Sequence, residues 1–321
     1  MRRVRYEVSG GPEVLFLEEV DIPTPGPGEL LVRTAAVGVT LPVVRKVREA
    51  REPVALGGEV AGEVVAVGEG VTRCRVGDRV TGLVFGHGYA DYALLHSSMA
   101  SPVPDGASAV DAVALVRSGL VAYGALEAAR PAAGEAALVT GAASGVGHLA
   151  LQMAQLKGAS RVVAAVSAPD GAVFAAKDAF LRGLGADDVL RYDDLADEER
   201  RGKRLGDGAD YCLDAVGGEL LTPAVRSLAP HGRLVAYSSG GGTVEAYDLL
   251  VGAKSVIGFQ MRIVAQGRPE LYETWRQELW RLHGAGLLKP AVHAEFGLAD
   301  AAKAHEVIEG RANLGKVVLI P

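Results

Sequence analysis

Cysteine is almost missing from this chain of 321 residues: only Cys74 and Cys212 occur. Two thiols so far apart exclude a disulfide framework, and without a Cys-x-x-Cys pair a structural zinc site is excluded too. Both read as ordinary small core or surface residues. A strong charge of one sign is also lacking. The formal net charge is −6 and the pI about 5.7, so nothing steers the chain toward nucleic acid or an acidic membrane. The cluster Arg200, Arg201, Lys203 and Arg204 lies beside an acidic run and reads as a solvated loop. No long hydrophobic run is unbroken. The best candidate, Ala109 to Ala129, carries Asp111, Arg117 and Glu127, which argues against a membrane span. The basic N-terminus enters a strand pattern directly, with no apolar signal core, so a cytoplasmic setting is expected. Internal repeats are absent.

What is present changes character along the chain. From Tyr6 to about Tyr92, short Val-rich runs alternate with Pro and Gly, as in PTPGPGE before LLVRTAAVGV. That spacing predicts a compact, partly closed β-domain. From about Ala107 the pattern turns helical, and then strands and helices alternate: AALVTGA, a helix over 147–157, RVVAAVS, a helix to about Leu184, DDVLRY, DYCLDAV, a helix to Leu228, and RLVAYSS. Such alternation predicts a doubly wound parallel sheet, a Rossmann-type α/β fold. An amphipathic helix after Pro269, a helix near 299–309 and a closing strand KVVLIP complete the chain. The expected division is 1–118 with 266–321, and 119–265.

Residues 138–152, LVTGAASGVGHLALQ, are the most informative stretch: an apolar strand, a glycine-rich turn and an apolar helix start. This is the layout that cradles a dinucleotide pyrophosphate, with close backbone N–H groups and a helix N-terminus facing the phosphates. Alanine and serine, Ala142 and Ser144, fill the first two glycine places, and Gly147 keeps the third. A structural turn has a similar pattern; the flanking strand and helix favour a cofactor. The turn also fits the short-chain dehydrogenase pattern TGxxxGxG. Those enzymes pair Tyr-x-x-x-Lys, however, and no tyrosine here has lysine four positions on; Tyr272 comes nearest, with Arg276. More than a hundred residues also precede the turn, so that reading fails.

Several segments in register carry a broader resemblance. GGPEVLFLEEVDIPTPGPGELLVRTAAVGV, GGEVAGEVVAVGEGVTRCRVGDRV, GYADYALL, the glycine turn, DYCLDAVGGE, GRLVAYSS and GRANLGKVVLIP follow one another as in the medium-chain dehydrogenase/reductase superfamily. The chain resembles its zinc-free, zeta-crystallin-like quinone oxidoreductase branch. The resemblance implies a GroES-like, partly closed β-barrel domain plus a Rossmann sheet. The informative departure is from zinc-using members, which carry a metal-binding His before the Glu of the signature segment. Here that place is Gly58, followed by Glu59, and the first-ligand region Val37-Gly38-Val39-Thr40 holds no cysteine. No tetrahedral catalytic zinc is expected. For Glu59 a buried helper carboxylate or a plain surface charge is as good a reading as a catalytic role.

Without a metal to polarise an alkoxide, the chemistry has to suit a bare hydride donor. A quinone or an α,β-unsaturated carbonyl accepts hydride and spreads charge onto oxygen, where a hydroxyl or backbone N–H stabilises it. By the resemblance, Thr40 stands near the nicotinamide and is the first substrate-side candidate; the plain alternative is a threonine at a strand end. Tyr89 is the second candidate, although Tyr89 and Tyr92 at period two also suit strand packing. His87 is either a cleft residue or a solvated loop histidine.

The acid that marks NAD preference stands about 20 residues past the glycines; here Ser167 ends the second strand instead. The resemblance implies an NADPH 2′-phosphate site of serine, lysine and tyrosine, matched in order by Ser167, Lys177 and Tyr192. The Ser-to-Lys stretch SAPDGAVFAAK is longer than usual, Lys177 also suits a helix surface, and Asp170 opposes a phosphate. The resemblance further implies cofactor contacts from Ser144, Gly145 and Val146 at the turn, Ser238 and Ser239 after a strand, Phe259 and Met261 beside the nicotinamide, and Asn313 from the tail; for these last three, core packing or loop structure is the alternative. Asp214 either faces the cofactor crevice or caps a helix. The expected function is a zinc-independent, NADPH-dependent reductase of a quinone or conjugated enone. The alternatives are an enoyl-thioester reductase and a non-catalytic NADPH-binding protein. A homodimer joined through the last sheet strand, near Lys254–Phe259, is expected from the resemblance.

Overall fold

The computed structural model describes residues 1–237 and 240–321. Two compact units emerge: Met1–Arg117 with Pro290–Pro321, and Ser118–Lys289. The first begins with a two-stranded antiparallel ribbon, β1 (Arg2–Arg5) with β2 (Phe16–Glu19). Strands β3 (Glu29–Val39), β4 (Gly58–Val67), β5 (Arg79–Val84), β6 (Tyr92–His96) and β7 (Ser101–Pro102) follow. Helix α1 (Leu41–Glu49) interrupts them, where the sequence suggested strands throughout. Thr40 at its N-cap and Pro42 in its first turn are the start signal. Helix α2 (Ala109–Ala129) spans the division of the chain. It is long and apolar enough to cross a membrane by length and composition, yet 67% of its most apolar stretch is buried in the protein. It is a core helix.

The second unit alternates β8 (Ala136–Thr140), α3 (Gly147–Leu156), β9 (Arg161–Val166), α4 (Gly171–Gly183) and β10 (Asp188–Arg191). It continues through α5 (Tyr192–Ala196), α6 (Glu198–Leu205), β11 (Ala209–Asp214), α7 (Leu221–Arg226), β12 (Leu228–Ala236), α8 (Ala246–Val251), β13 (Ser255–Gly258), α9 (Met261–Gly267) and α10 (Pro269–Gly284). The six strands are parallel in the order β10-β9-β8-β11-β12-β13. Chain order reverses between β8 and β11, which creates the crevice where open α/β sheets bind ligands.

Three expectations are corrected. The helix drawn to Leu228 ends at Arg226, because Leu228 already pairs in β12. The cluster 200–204 is helical, not a loop: Asp197 caps α6 by accepting the Arg200 N–H at 2.8 Å, and Lys203 pairs with Glu199 one turn back. Residues 266–289, expected with the β-domain, belong to the second unit. The cause is packing on the glycines of α2, where a methyl at Gly119 would lie 2.9 Å from Leu279 and one at Gly124 2.8 Å from Trp275.

The chain closes with β14 (Val292–Gly297), α11 (Ala301–Glu309) and β15 (Lys316–Ile320). These strands complete the seven-stranded sheet of the first unit, ordered β14-β15-β3-β4-β5-β7 with β6 also paired to β3. Its core joins Leu30, Val37, Val60, Val84 and Leu95 to Ile308, Val317 and Leu319 from the C-terminal return.

Candidate active site

The glycine turn in the second unit is built from its own backbone. Gly141 leaves β8 at φ +60, a conformation that suits glycine. Its carbonyl accepts the Ser144 N–H at 2.9 Å, and the Ser144 hydroxyl accepts the Gly147 N–H at 3.0 Å. A side chain at Gly147 would overlap the carbonyl oxygen of Gly141 and come within 2.7 Å of the Ala142 Cα, so the helix can approach the strand only without one. Ala142 and Ala143 are buried, while Ser144, Gly145 and Val146 are half-exposed at the start of α3. There the first backbone N–H groups of a helix and its positive dipole end favour an anion.

Asp214, fully buried at the end of β11, is a structural clamp. Its carboxylate accepts the Thr140 hydroxyl at 2.5 Å and the Val216 and Gly217 N–H groups at 3.2 and 2.9 Å. It therefore ties β8 to β11 at the strand-order reversal.

At the end of β9, two of the three 2′-phosphate candidates meet. The Lys177 ammonium, only 4% exposed, donates to the Ser167 carbonyl at 2.8 Å; the longer connection has not carried it away. Tyr192 lies at the other side of the turn, its hydroxyl accepting the Gly141 N–H at 3.1 Å. Asp170 is spent on capping α4, accepting the Val173 N–H at 2.8 Å. Sequence reasoning missed Arg191, which donates to the carbonyls of Ala168 and Asp170, both at 3.1 Å, and lies over the Phe174 ring. Phe259 follows β13, with its N–H on the Ala236 carbonyl at 2.9 Å and its ring against Gly124 of α2; Met261 opens α9. Ser238 and Ser239 lie outside the described residues.

In the first unit, Val39 pairs with Val317, so Thr40 leaves β3 at the end of the sheet where the chain enters β15 from Asn313. Thr40 makes no capping hydrogen bond to α1. Asn313 donates its side-chain amide to the Gly315 carbonyl at 3.0 Å. Tyr89 is a correction: it is 1% exposed within the core, its hydroxyl 3.2 Å from His305 Nε2. Burial raises its pKa far above the ordinary phenol range and pushes His305 down to about 4. A phenol so enclosed is a packing residue. His87, at φ +54, sits 3.3 Å from an Arg3 nitrogen, and with Tyr92 it lines a separate groove of about 580 Å³ beside Met1 and Phe85.

Glu59 is buried and bound to two cations, the Lys316 ammonium and Arg117 Nη1 at 3.1 Å. Lys316 is buried as well, and that burial lowers its pKa against the opposing pull of Glu59. Gly38 makes the pair possible: a methyl there would come within 2.6 Å of the Lys316 Cε and 3.1 Å of the Glu59 carboxylate. A side chain at Gly58 would meet the Tyr89 ring and Val37, both at 3.4 Å. Among the described residues, no three His, Cys, Asp or Glu side chains converge as a metal site. The only sequence signal for Lys316 is one cation heading an apolar closing strand.

A GroES-like β-domain and a Rossmann sheet with this turn define a two-domain dehydrogenase/reductase. Residues 26–105 match the alcohol dehydrogenase GroES-like domain and 184–319 the zinc-binding dehydrogenase family. A quinone oxidoreductase of Pseudomonas aeruginosa is 31% identical, covering 100% of this chain and 99% of its own length. A 2-haloacrylate reductase of a Burkholderia species is 29% identical over 97% of this chain and 96% of its own length. A mycobacterial protein solved in complex with NADPH superposes with a TM-score of 0.88 at 30% identity, covering all of both chains. The chain belongs to the medium-chain dehydrogenase/reductase superfamily, in its quinone oxidoreductase branch.

Proposed function

We propose that this chain is a zinc-independent, NADPH-dependent reductase of quinones or α,β-unsaturated carbonyls. The observation that carries the reading is the gathering of Lys177 and Ser167 at the end of β9, with Tyr192 on the glycine turn. An NAD site would place an acid there to hold the ribose hydroxyl. The residues fit the cofactor at the turn as well, since the missing Cβ of Gly147 lets backbone and helix close on a pyrophosphate. The bound nicotinamide would supply the hydride. The chain's own part is to orient the cofactor through Ser144, Gly145 and Val146 and to present the Thr40 hydroxyl to the acceptor oxygen as charge builds on it. Water can deliver the proton. Zinc independence is supported by Gly58 at the histidine place, by the lack of cysteine over 37–40, and by the commitment of Glu59 to Lys316 and Arg117. The likeness to the Burkholderia protein, a 2-haloacrylate reductase, supports an enone acceptor beside the quinone. A cytoplasmic homodimer paired through the edge strand β13, where Val256 is 37% exposed, completes the reading.

The test is NADPH and NADH oxidation in chelator-treated buffer against naphthoquinones, alkenals and enoyl-CoA thioesters. Chelator-resistant turnover with NADPH is expected, and the best acceptor distinguishes a quinone or enone enzyme from a thioester reductase. Turnover with NADH alone, or its loss to the chelator, overturns the reading. NADPH binding with no turnover on any acceptor points to a binding protein.

A further inference from the structure

Resting on the NADPH reading above, we infer that Arg191 is a specificity-determining residue, the cation that makes this site prefer a 2′-phosphate to a bare 2′-hydroxyl. The turn between β9 and α4, residues 167–170, is laced by two cations. Lys177 holds the Ser167 carbonyl at 2.8 Å, and Arg191 holds those of Ala168 and Asp170 at 3.1 Å each. The guanidinium carbon also lies over the Phe174 ring in the first turn of α4, 4.4 Å from its centroid. Its position is therefore fixed before any ligand arrives, which removes the entropy cost that a lysine in solvent would bear. A guanidinium has five N–H donors. The turn uses two of them, and among the described residues no other acceptor takes the rest, which are open to an anion.

The charge count gives Arg191 its weight. Asp170 sits in the same turn with its carboxylate on the Val173 N–H. Lys177 and Asp170 alone would make the turn formally neutral, a poor partner for a dianionic phosphate. Arg191 makes it cationic. Of the neighbouring carboxylates, Asp194 accepts the Arg191 backbone N–H at 3.2 Å and pairs with Arg200 at 3.3 Å, and Asp193 is exposed to solvent. The place also matches the ligand: the C-terminal end of the second strand of such a sheet meets the adenosine ribose, and the N-terminus of α4 adds a favourable dipole.

The test titrates full-length wild type, Arg191→Met and Arg191→Lys with 2′,5′-ADP and with 5′-AMP by calorimetry. Methionine keeps an unbranched stem over Phe174 and removes the charge. Arg191→Met is expected to lose about 10- to 100-fold in affinity for 2′,5′-ADP while 5′-AMP binding stays within about twofold. Arg191→Lys should keep part of the preference. Thermal melts confirm that each variant is folded. An equal loss for both ligands makes Arg191 an adenosine contact or a strut and overturns the inference, as does unchanged 2′,5′-ADP affinity. In either of those cases a wild-type preference for 2′,5′-ADP leaves the NADPH reading standing. If wild type itself binds the two ligands alike, both fall.

Discussion

Replacing Lys316 by methionine should destabilise the first unit severely, and replacing Glu59 along with it should restore most of the loss. Glu59 is 2% exposed and Lys316 3% exposed, so neither charge can regain water when the other is removed. Breaking a buried pair from one side costs about 3–5 kcal/mol. Arg117 remains 3.1 Å from Glu59, but its side chain is 38% exposed and its charge already partly screened, so about 3 kcal/mol is expected for Lys316→Met. With a urea slope of about 2 kcal/mol/M, the midpoint falls by about 1.5 M. Glu59→Gln should cost less, about 2 kcal/mol, because Lys316 has an outlet: burial already lowers its pKa, and without the carboxylate it sheds its proton. The sign follows. A lysine with a depressed folded pKa favours the unfolded chain progressively as pH falls below its ordinary value, so the Glu59→Gln deficit should shrink as pH rises toward 10. The double variant Glu59→Met/Lys316→Met removes both charges and should lie within about 1 kcal/mol of wild type. Far-UV circular dichroism is the appropriate probe, since both tryptophans, Trp275 and Trp280, belong to the other unit. A loss below about 1 kcal/mol for Lys316→Met, or a double variant as weak as the worse single one, would refute the argument.

Other expectations are equally direct. Burial holds the His305 pKa at about 4, so its contribution is intact above pH 6.5 and disappears as pH falls toward 4; about 3 kcal/mol should be lost over that window, and His305→Gln should flatten the acid limb of a stability–pH curve. Gly147→Val forces a side chain into the Gly141 carbonyl, and NADPH-dependent fluorescence quenching should be abolished while the fold of the first unit survives. Thr40→Val should lower kcat about 10- to 100-fold with little change in the KM for NADPH, whereas Tyr89→Phe should keep kcat and lose about 1 kcal/mol of stability; the reverse pattern would return the catalytic role to the phenol.

What the sequence disclosed and what it hid divide along contact distance. The turn from Thr140 to Gly147 is legible because strand, glycines and helix are neighbours in the chain. The alternation over 136–236 is legible for the same reason, each element carrying its own apolar period. Helix α1 has a start signal at Thr40 and Pro42, but its valines match those of the strands on either side. The cluster at 200–204 hides a helix because α6 buries only Leu205 and shows no apolar stripe. Tyr89 could not be assigned to the core, since its partner His305 is 216 residues away. Lys316 meets Glu59 across 257 residues, and Arg191 acquires meaning only when β10 brings it beside the turn after β9. Ser167 and Lys177 meet across only ten residues, a separation that chain order can span.

The missing side chain of Gly38 bears on how this sequence can change. A methyl at 38 would come within 2.6 Å of the Lys316 stem, and removal of Lys316 strands the Glu59 carboxylate, itself 2% exposed. Position 38 can therefore gain a side chain only if Lys316 changes, and Lys316 can change only together with Glu59, so the three positions are locked to one another.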